Sequence, residues 1–231
     1  MNNQADKDFN SDFAEKYENG IRISLPTYEH LFPLSNSFLR TRLNNNDQLL
    51  VVGAGGGAEL LSFNQANPNW QITGVDPSEP MIKVAIEKVN KAGITDKINL
   101  FHGFTNQLPL EPIYDGATCI LVLHFLPDDG SKLELLSSIA ERLKPGSPLV
   151  LVSVYGDKDS VEFQLVMEAW LRNIQSNGGT PEEINEISEG FLKLPIVSEE
   201  RIKELLNEAG FQQVTHFFTT YHFGGWFAIL K

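Results

Sequence analysis

The chain has 231 residues, 42% hydrophobic and 21% charged, enough for one large α/β domain with a small helical insertion. Its formal charge of −12, from 30 acidic and 18 basic residues, repels nucleic acid and favours a small-molecule acceptor; the densest basic pairs are only Arg40 with Arg42 and Arg142 with Lys144. Apolar runs such as Leu49 to Val52 are too short for a bilayer, Met1 to Asp6 lack the basic-then-apolar order of a signal peptide, and the lone Cys119 cannot form an intrachain disulfide, which together point to the cytoplasm and no membrane.

Residues 1–47 read as an N-terminal helical segment. A polar first dozen is followed by one helical pattern through Phe13, Tyr17 and Ile21, and by another from Tyr28 through Leu31 and Phe32 to Leu39. From Leu49 onward short apolar runs alternate with longer amphipathic ones. Strands are predicted at Gln48–Val52, Gln71–Val75, Ile98–Phe101, Gly116–Val122, Pro148–Val154, Gln212–Thr219 and His222–Leu230. Helices are predicted between them at Gly57–Ala66, Glu79–Ala92, Ser131–Leu143 and Ser198–Ala209, with Ser78 an N-cap and Gly93 a helix stop. The rhythm implies a single domain over 1–231, with a mostly parallel sheet packed on both faces. Residues 155–196 interrupt it with two helical patterns and no strand. They are read as a lid over the ligand crevice, the alternative being an ornamental helical hairpin.

Gly53-Ala54-Gly55-Gly56-Gly57 follows the first strand directly and opens a helix near Ala58. Glycines there let a ligand approach bare main chain and supply positive φ. Asp76 ends the second strand in Val75-Asp76-Pro77-Ser78, where one carboxylate can accept hydrogen bonds from both hydroxyls of a ribose. Loop and acid together indicate an adenosine-type ligand. A dinucleotide loop normally reads G-x-G-x-x-G, whereas Ala58 stands here at the last glycine position.

Val51 to Gly57, Val75 to Ser78 with Met81 and Ile82, Ile120 to Pro127, and Arg142 to Gly146 resemble, in order and spacing, four motifs of the class I S-adenosylmethionine-dependent methyltransferases. The resemblance implies a Rossmann-like, doubly wound sheet of seven strands with an antiparallel last strand. It also implies S-adenosylmethionine as cofactor and S-adenosylhomocysteine as product. More narrowly, Arg22 to Tyr28 and the region from Phe163 to Gly224 resemble the carboxy-S-adenosylmethionine synthases, enzymes serving tRNA wobble-uridine modification. By these resemblances the cofactor site comprises Tyr28, Gly53, Ala54, Gly55, Gly57, Asp76, Pro77, Met81, Phe104, Thr105 and Ile120, and a homodimer is implied. Two positions depart from the narrower pattern. The adenine-side Asp falls at Phe104, and the arginine that holds the extra carboxylate falls at Leu205, with Arg201 one turn earlier. Plain S-adenosylmethionine is therefore expected.

Methyl transfer from a sulfonium is an in-line displacement that needs alignment and exclusion of water more than a catalytic side chain. His124, at the end of the fourth strand, is the candidate general base; the competing reading has it packed beneath the loop or bonded to a carbonyl. Tyr17, Tyr155, Trp170, Tyr221 and His222, with Arg201, are candidates to line an acceptor pocket, each also open to a core reading. No metal is expected. A carboxylated-cofactor transferase, a non-catalytic S-adenosylmethionine-binding protein and a nicotinamide-dependent dehydrogenase are the competing functions.

Overall fold

The computed structural model describes residues 20–111 and 113–231. The expectations placed on Phe13 and Tyr17 lie outside the described residues. Strand β1 (Gln48–Val52) is central because Leu49 to Val52 are apolar and can be buried from both faces. It pairs in parallel with β2 (Gln71–Asp76) on one side and β4 (Gly116–Ile120) on the other. Strand β3 (Ile98–His102) extends the sheet beyond β2, and β5 (Pro148–Val154) extends it beyond β4, all in parallel. The sheet closes with β6 (Phe211–Thr220) and β7 (Phe223–Leu230). Because β7 runs antiparallel to both β5 and β6, the seven-stranded order is β3-β2-β1-β4-β5-β7-β6.

The period-two alternation of strand side chains divides the core. Leu49, Val51, Val150 and Val152 face one layer, formed by α1 (Tyr28–Leu39), α2 (Ala58–Ala66), α3 (Glu79–Ala92), α5 (Val161–Ser176) and α6 (Pro181–Lys193). Leu50, Val52, Leu149 and Leu151 face the other, formed by α4 (Ser131–Ala140) and α7 (Glu199–Glu208). Strand order reverses between β1 and β4, so a crevice opens beyond their carboxyl ends, the usual ligand position in such sheets.

Three local differences from the sequence reading matter for that crevice. Strand β4 ends at Ile120 rather than Val122, because Leu121 adopts φ +60° and turns the chain into a tight 3-10 turn at Leu123–Phe125. Helix α4 ends at Ala140 rather than Leu143; the hydrogen bonds of Arg142 and Leu143 fall on residues three back, tightening the last turn. Arg142 itself is buried, its guanidinium donating to the carbonyls of Ser138, Asn106 and Leu108, so it adds nothing to a basic surface.

Helices α5 and α6 are capped by Ser160, which accepts from Phe163 N, and by a reciprocal Thr180–Glu183 capping box. They pack onto the chain before α1, where the Trp170 indole donates to the Ser24 carbonyl at 2.6 Å. Among the described residues no helix is long and apolar enough to cross a membrane.

Candidate functional site

The glycine loop is held to β2 by its own backbone, Gly53 N and Ala54 N both donating to the Val75 carbonyl at 2.9 and 3.1 Å. Gly53 sits at φ +74°, and a Cβ there would collide with the Val122 side chain. Gly57, at φ +80°, lets α2 approach α3 closely, since its Cβ would lie 3.1 Å from Ala85 Cα. Asp76 is oriented before any ligand arrives. One of its oxygens accepts from Ser78 N at 2.8 Å and the other from Gly55 N at 2.9 Å, which leaves the remaining lone pairs free to accept from a ligand. Burial raises its pKa, and the backbone hydrogen bonds from Ser78 and Gly55 oppose that rise.

These groups wall a cavity of about 190 Å³ at the carboxyl ends of β1, β2 and β4. Of the expected cofactor residues, Tyr28, Gly53, Ala54, Gly55, Asp76, Pro77, Met81, Phe104 and Ile120 line it. Gly57 and Thr105 do not. Gly57 serves the contact of α2 with α3, and Thr105 is buried at the start of a 3-10 turn over Thr105–Gln107. The cover comes from α1, through Tyr28 and Phe32, and from the turn after β4, through Phe125 and Leu126. No residue of 155–196 lines the cavity; the buried aromatics of α5 and α6 are spent against Ser24, one another and His222 and Phe223 at the β6–β7 turn.

The acceptor-side expectations fare accordingly. Trp170 is buried on Ser24, and Tyr155 lies edge-on to Trp226 and His216, by the opposite core layer. His222 stacks on Phe163, with ring centroids 4.0 Å apart, and burial depresses its pKa to about 4. Tyr221 forms the tight β6–β7 turn at φ +50°. None of the four lines the cavity.

His124 is likewise drawn away. The turn at Leu121 carries its ring beneath the loop, where Nδ1 accepts from Val154 N at 3.2 Å, and burial with the nearby Lys132 charge lowers its pKa to about 3. Lys132 staples the same turn, its buried ammonium donating to the Leu123 carbonyl at 2.8 Å. A ring held neutral with its lone pair engaged takes no proton from an acceptor. Replacing His124 by Ala should leave S-adenosylhomocysteine affinity within about twofold while costing about 1–3 kcal/mol of stability, since the Val154 amide loses its acceptor. The stability this neutral ring contributes is present above pH 6.5 and is lost as pH falls toward 3, so the variant's thermal midpoint should depend less on pH across that window.

Arg201 is engaged by three carboxylates, those of Asp128, Glu204 and Glu208 at 3.0, 3.1 and 2.8 Å, outside the cavity. Leu205, where the sequence resemblance implies an arginine, is fully buried in the core. Among the described residues the cavity wall thus contains two carboxyl groups, Asp76 and Glu59, and no Lys, Arg or His. Sequence reasoning missed Glu59, whose place in the first turn of α2 reads as an ordinary helix-dipole acid. It also passed over Leu121 and Val122 as strand, and Phe125.

A family model described as a methyltransferase domain matches residues 50–149. Carboxy-S-adenosyl-L-methionine synthase of Actinobacillus pleuropneumoniae serotype 5b is 25% identical, the match covering 96% of this chain and 92% of that protein. The enzyme of the same name from Hydrogenovibrio crunogenus is 26% identical, with coverage of 96% and 88%. Among solved structures, a SAM dependent methyltransferase from Aquifex aeolicus superposes with a TM-score of 0.65 at 20% identity, covering 96% of this chain and 100% of that one.

Proposed function

From the premise that this chain carries a class I methyltransferase domain with S-adenosylmethionine as its cofactor, we propose that it transfers a methyl group to a small-molecule acceptor by in-line displacement. The observation that carries the reading is the cavity's composition: bare main chain at Gly53–Gly55, an oriented acceptor at Asp76 and, among the described residues, two carboxyl groups with no Lys, Arg or His. That wall suits a cationic nucleoside. The cofactor brings its own activated methyl as a sulfonium. Gly53, Ala54 and Gly55 hold its amino-acid portion, and Asp76 its ribose. Tyr28, Phe32 and Phe125 exclude water from the space beside it. Among the described residues the rest of the wall is largely apolar and His124 lies outside it, so the acceptor is a group that attacks without help from His124.

Calorimetric titration with S-adenosylhomocysteine and with NAD tests the cofactor, and preference for NAD would end this reading. Release of S-adenosylhomocysteine on incubation with candidate acceptors tests the transfer.

The relatives named as carboxy-S-adenosyl-L-methionine synthases, matched over 96% of the chain, favour a second reading in which the cofactor is carboxylated. A carboxylated cofactor needs a cation near the sulfonium, and Arg201 is the residue to ask. Arg201→Ala is expected to leave affinity for S-adenosylhomocysteine within about twofold, because the guanidinium is committed to surface carboxylates. Loss of a copurifying carboxylated nucleoside in that variant, detected by mass spectrometry, would instead establish the second reading. The homodimer expected from the sequence resemblance is checked by light scattering.

A further inference from the structure

The ribose and the reacting methyl leave one group of the cavity wall without a task. Glu59 is buried, lines the cavity, and receives its hydrogen bond from the Thr118 hydroxyl on β4. No ion pair among the described residues includes it, so an ionised Glu59 would be a buried charge without a counterion. A helix-dipole role explains an exposed acid in a first turn; it does not explain one turned into a cavity against the sheet. Asp76 stands on β2, on one side of β1, and the Thr118 anchor of Glu59 stands on β4, on the other, so the two acids occupy opposite sides of the glycine loop. With the ribose at Asp76, an amino-acid end crossing the glycine loop would meet Glu59.

We propose that Glu59 is the receptor for the α-ammonium group of the cofactor and gives up its own proton when the ligand binds. This rests on the reading of the cavity as an S-adenosylmethionine site. The carboxyl O–H bond breaks and its proton leaves to the buffer. The ammonium, protonated throughout, donates to the resulting carboxylate, and no covalent bond to the ligand forms. In the free protein, burial raises the Glu59 pKa to about 8, opposed by the Thr118 hydrogen bond, so the group is largely protonated at neutral pH. Thr118 and Cys119 of β4 interact with Glu59 directly, and Asp76 of β2 and Tyr28 of α1 share the cavity wall with it; α3 lends the wall Met81 and its cap Ser78, neither of which titrates. The Cys119 thiol is pushed up by burial and by the Glu59 charge and stays neutral. Asp76, with His102 near it, is also raised by burial and is the one neighbour whose titration could imitate the effect.

Two ligands separate these contributions. S-adenosylhomocysteine carries the ammonium, whereas 5′-methylthioadenosine shares the adenosine and the sulfur but lacks the amino acid. Both meet Asp76, and one of them reaches Glu59. Between pH 7.5 and 6 the affinity for S-adenosylhomocysteine is expected to weaken about tenfold per unit of falling pH, with proton release read from the buffer dependence of the calorimetric heat, while methylthioadenosine changes little. Glu59→Gln preserves a partner for Thr118. It should weaken S-adenosylhomocysteine about tenfold or more at pH 7.5, remove its pH slope and leave methylthioadenosine unchanged. Equal pH slopes for the two ligands, or a slope that survives in Glu59→Gln, would overturn the proposal. Failure of both ligands to bind the unaltered protein would instead overturn the cofactor site and the proposal with it.

Discussion

Gly53→Ala is expected to abolish measurable binding of S-adenosylhomocysteine and to lower stability by about 2–5 kcal/mol. Holding an alanine in the left-handed region at φ +74° costs about 1–2 kcal/mol, and forcing its methyl into Val122 adds roughly 1–3 kcal/mol of overpacking. The binding loss follows from the same collision, because Val122 and the loop are both walls of the cavity. Gly93→Ala is the control. Gly93 has a similar φ of +67° but open space around its Cβ position and lies outside the cavity, so it should lose only about 1 kcal/mol and leave affinity intact. Chemical denaturation and calorimetry measure both quantities. Unimpaired binding in Gly53→Ala would remove the loop from the site.

The second large effect is expected at Asp76. Asp76→Ala removes the proposed ribose acceptor and should weaken S-adenosylhomocysteine by more than tenfold, about 1.4 kcal/mol or more. It also strips the Gly55 and Ser78 amides of their partner, and an orphaned buried donor costs about 1–3 kcal/mol. Stability and affinity should therefore fall together in Asp76→Ala. In Asp76→Asn, which retains one acceptor oxygen, both losses should be smaller. An unchanged dissociation constant in the alanine variant would take Asp76 out of ribose recognition.

The parts of this architecture that follow from backbone rules were readable in advance. Strand burial shows as apolar runs, α3 announces itself by Ser78, Pro80 and Gly93, and a glycine run followed by an acid can be read because main-chain approach admits few alternatives. The two terminal strands were readable as β runs, whereas the antiparallel insertion of the last one was implied by resemblance rather than by any spacing rule. The parts that depend on how distant segments meet were not readable. Nothing local marks Leu121 as adopting positive φ, and that one dihedral moves His124 from the end of a strand to a seat under the loop. Helices α5 and α6 looked free to cover the crevice because the sequence does not reveal that Trp170 reaches Ser24, 146 residues earlier. Glu59 was concealed by a plausible surface role, and only its contact with Thr118 across the layer shows it to be interior.

The position of β7 has a consequence for synthesis. This strand follows β6 in the chain but lies between β5 and β6 in the sheet. Until Phe223–Leu230 leaves the ribosome, β5 can present an unpaired apolar flank, and β6 has no neighbour to dock on. A nascent chain halted in that interval would be sticky even with its glycine loop already formed, and the emergence of β7 is what closes it.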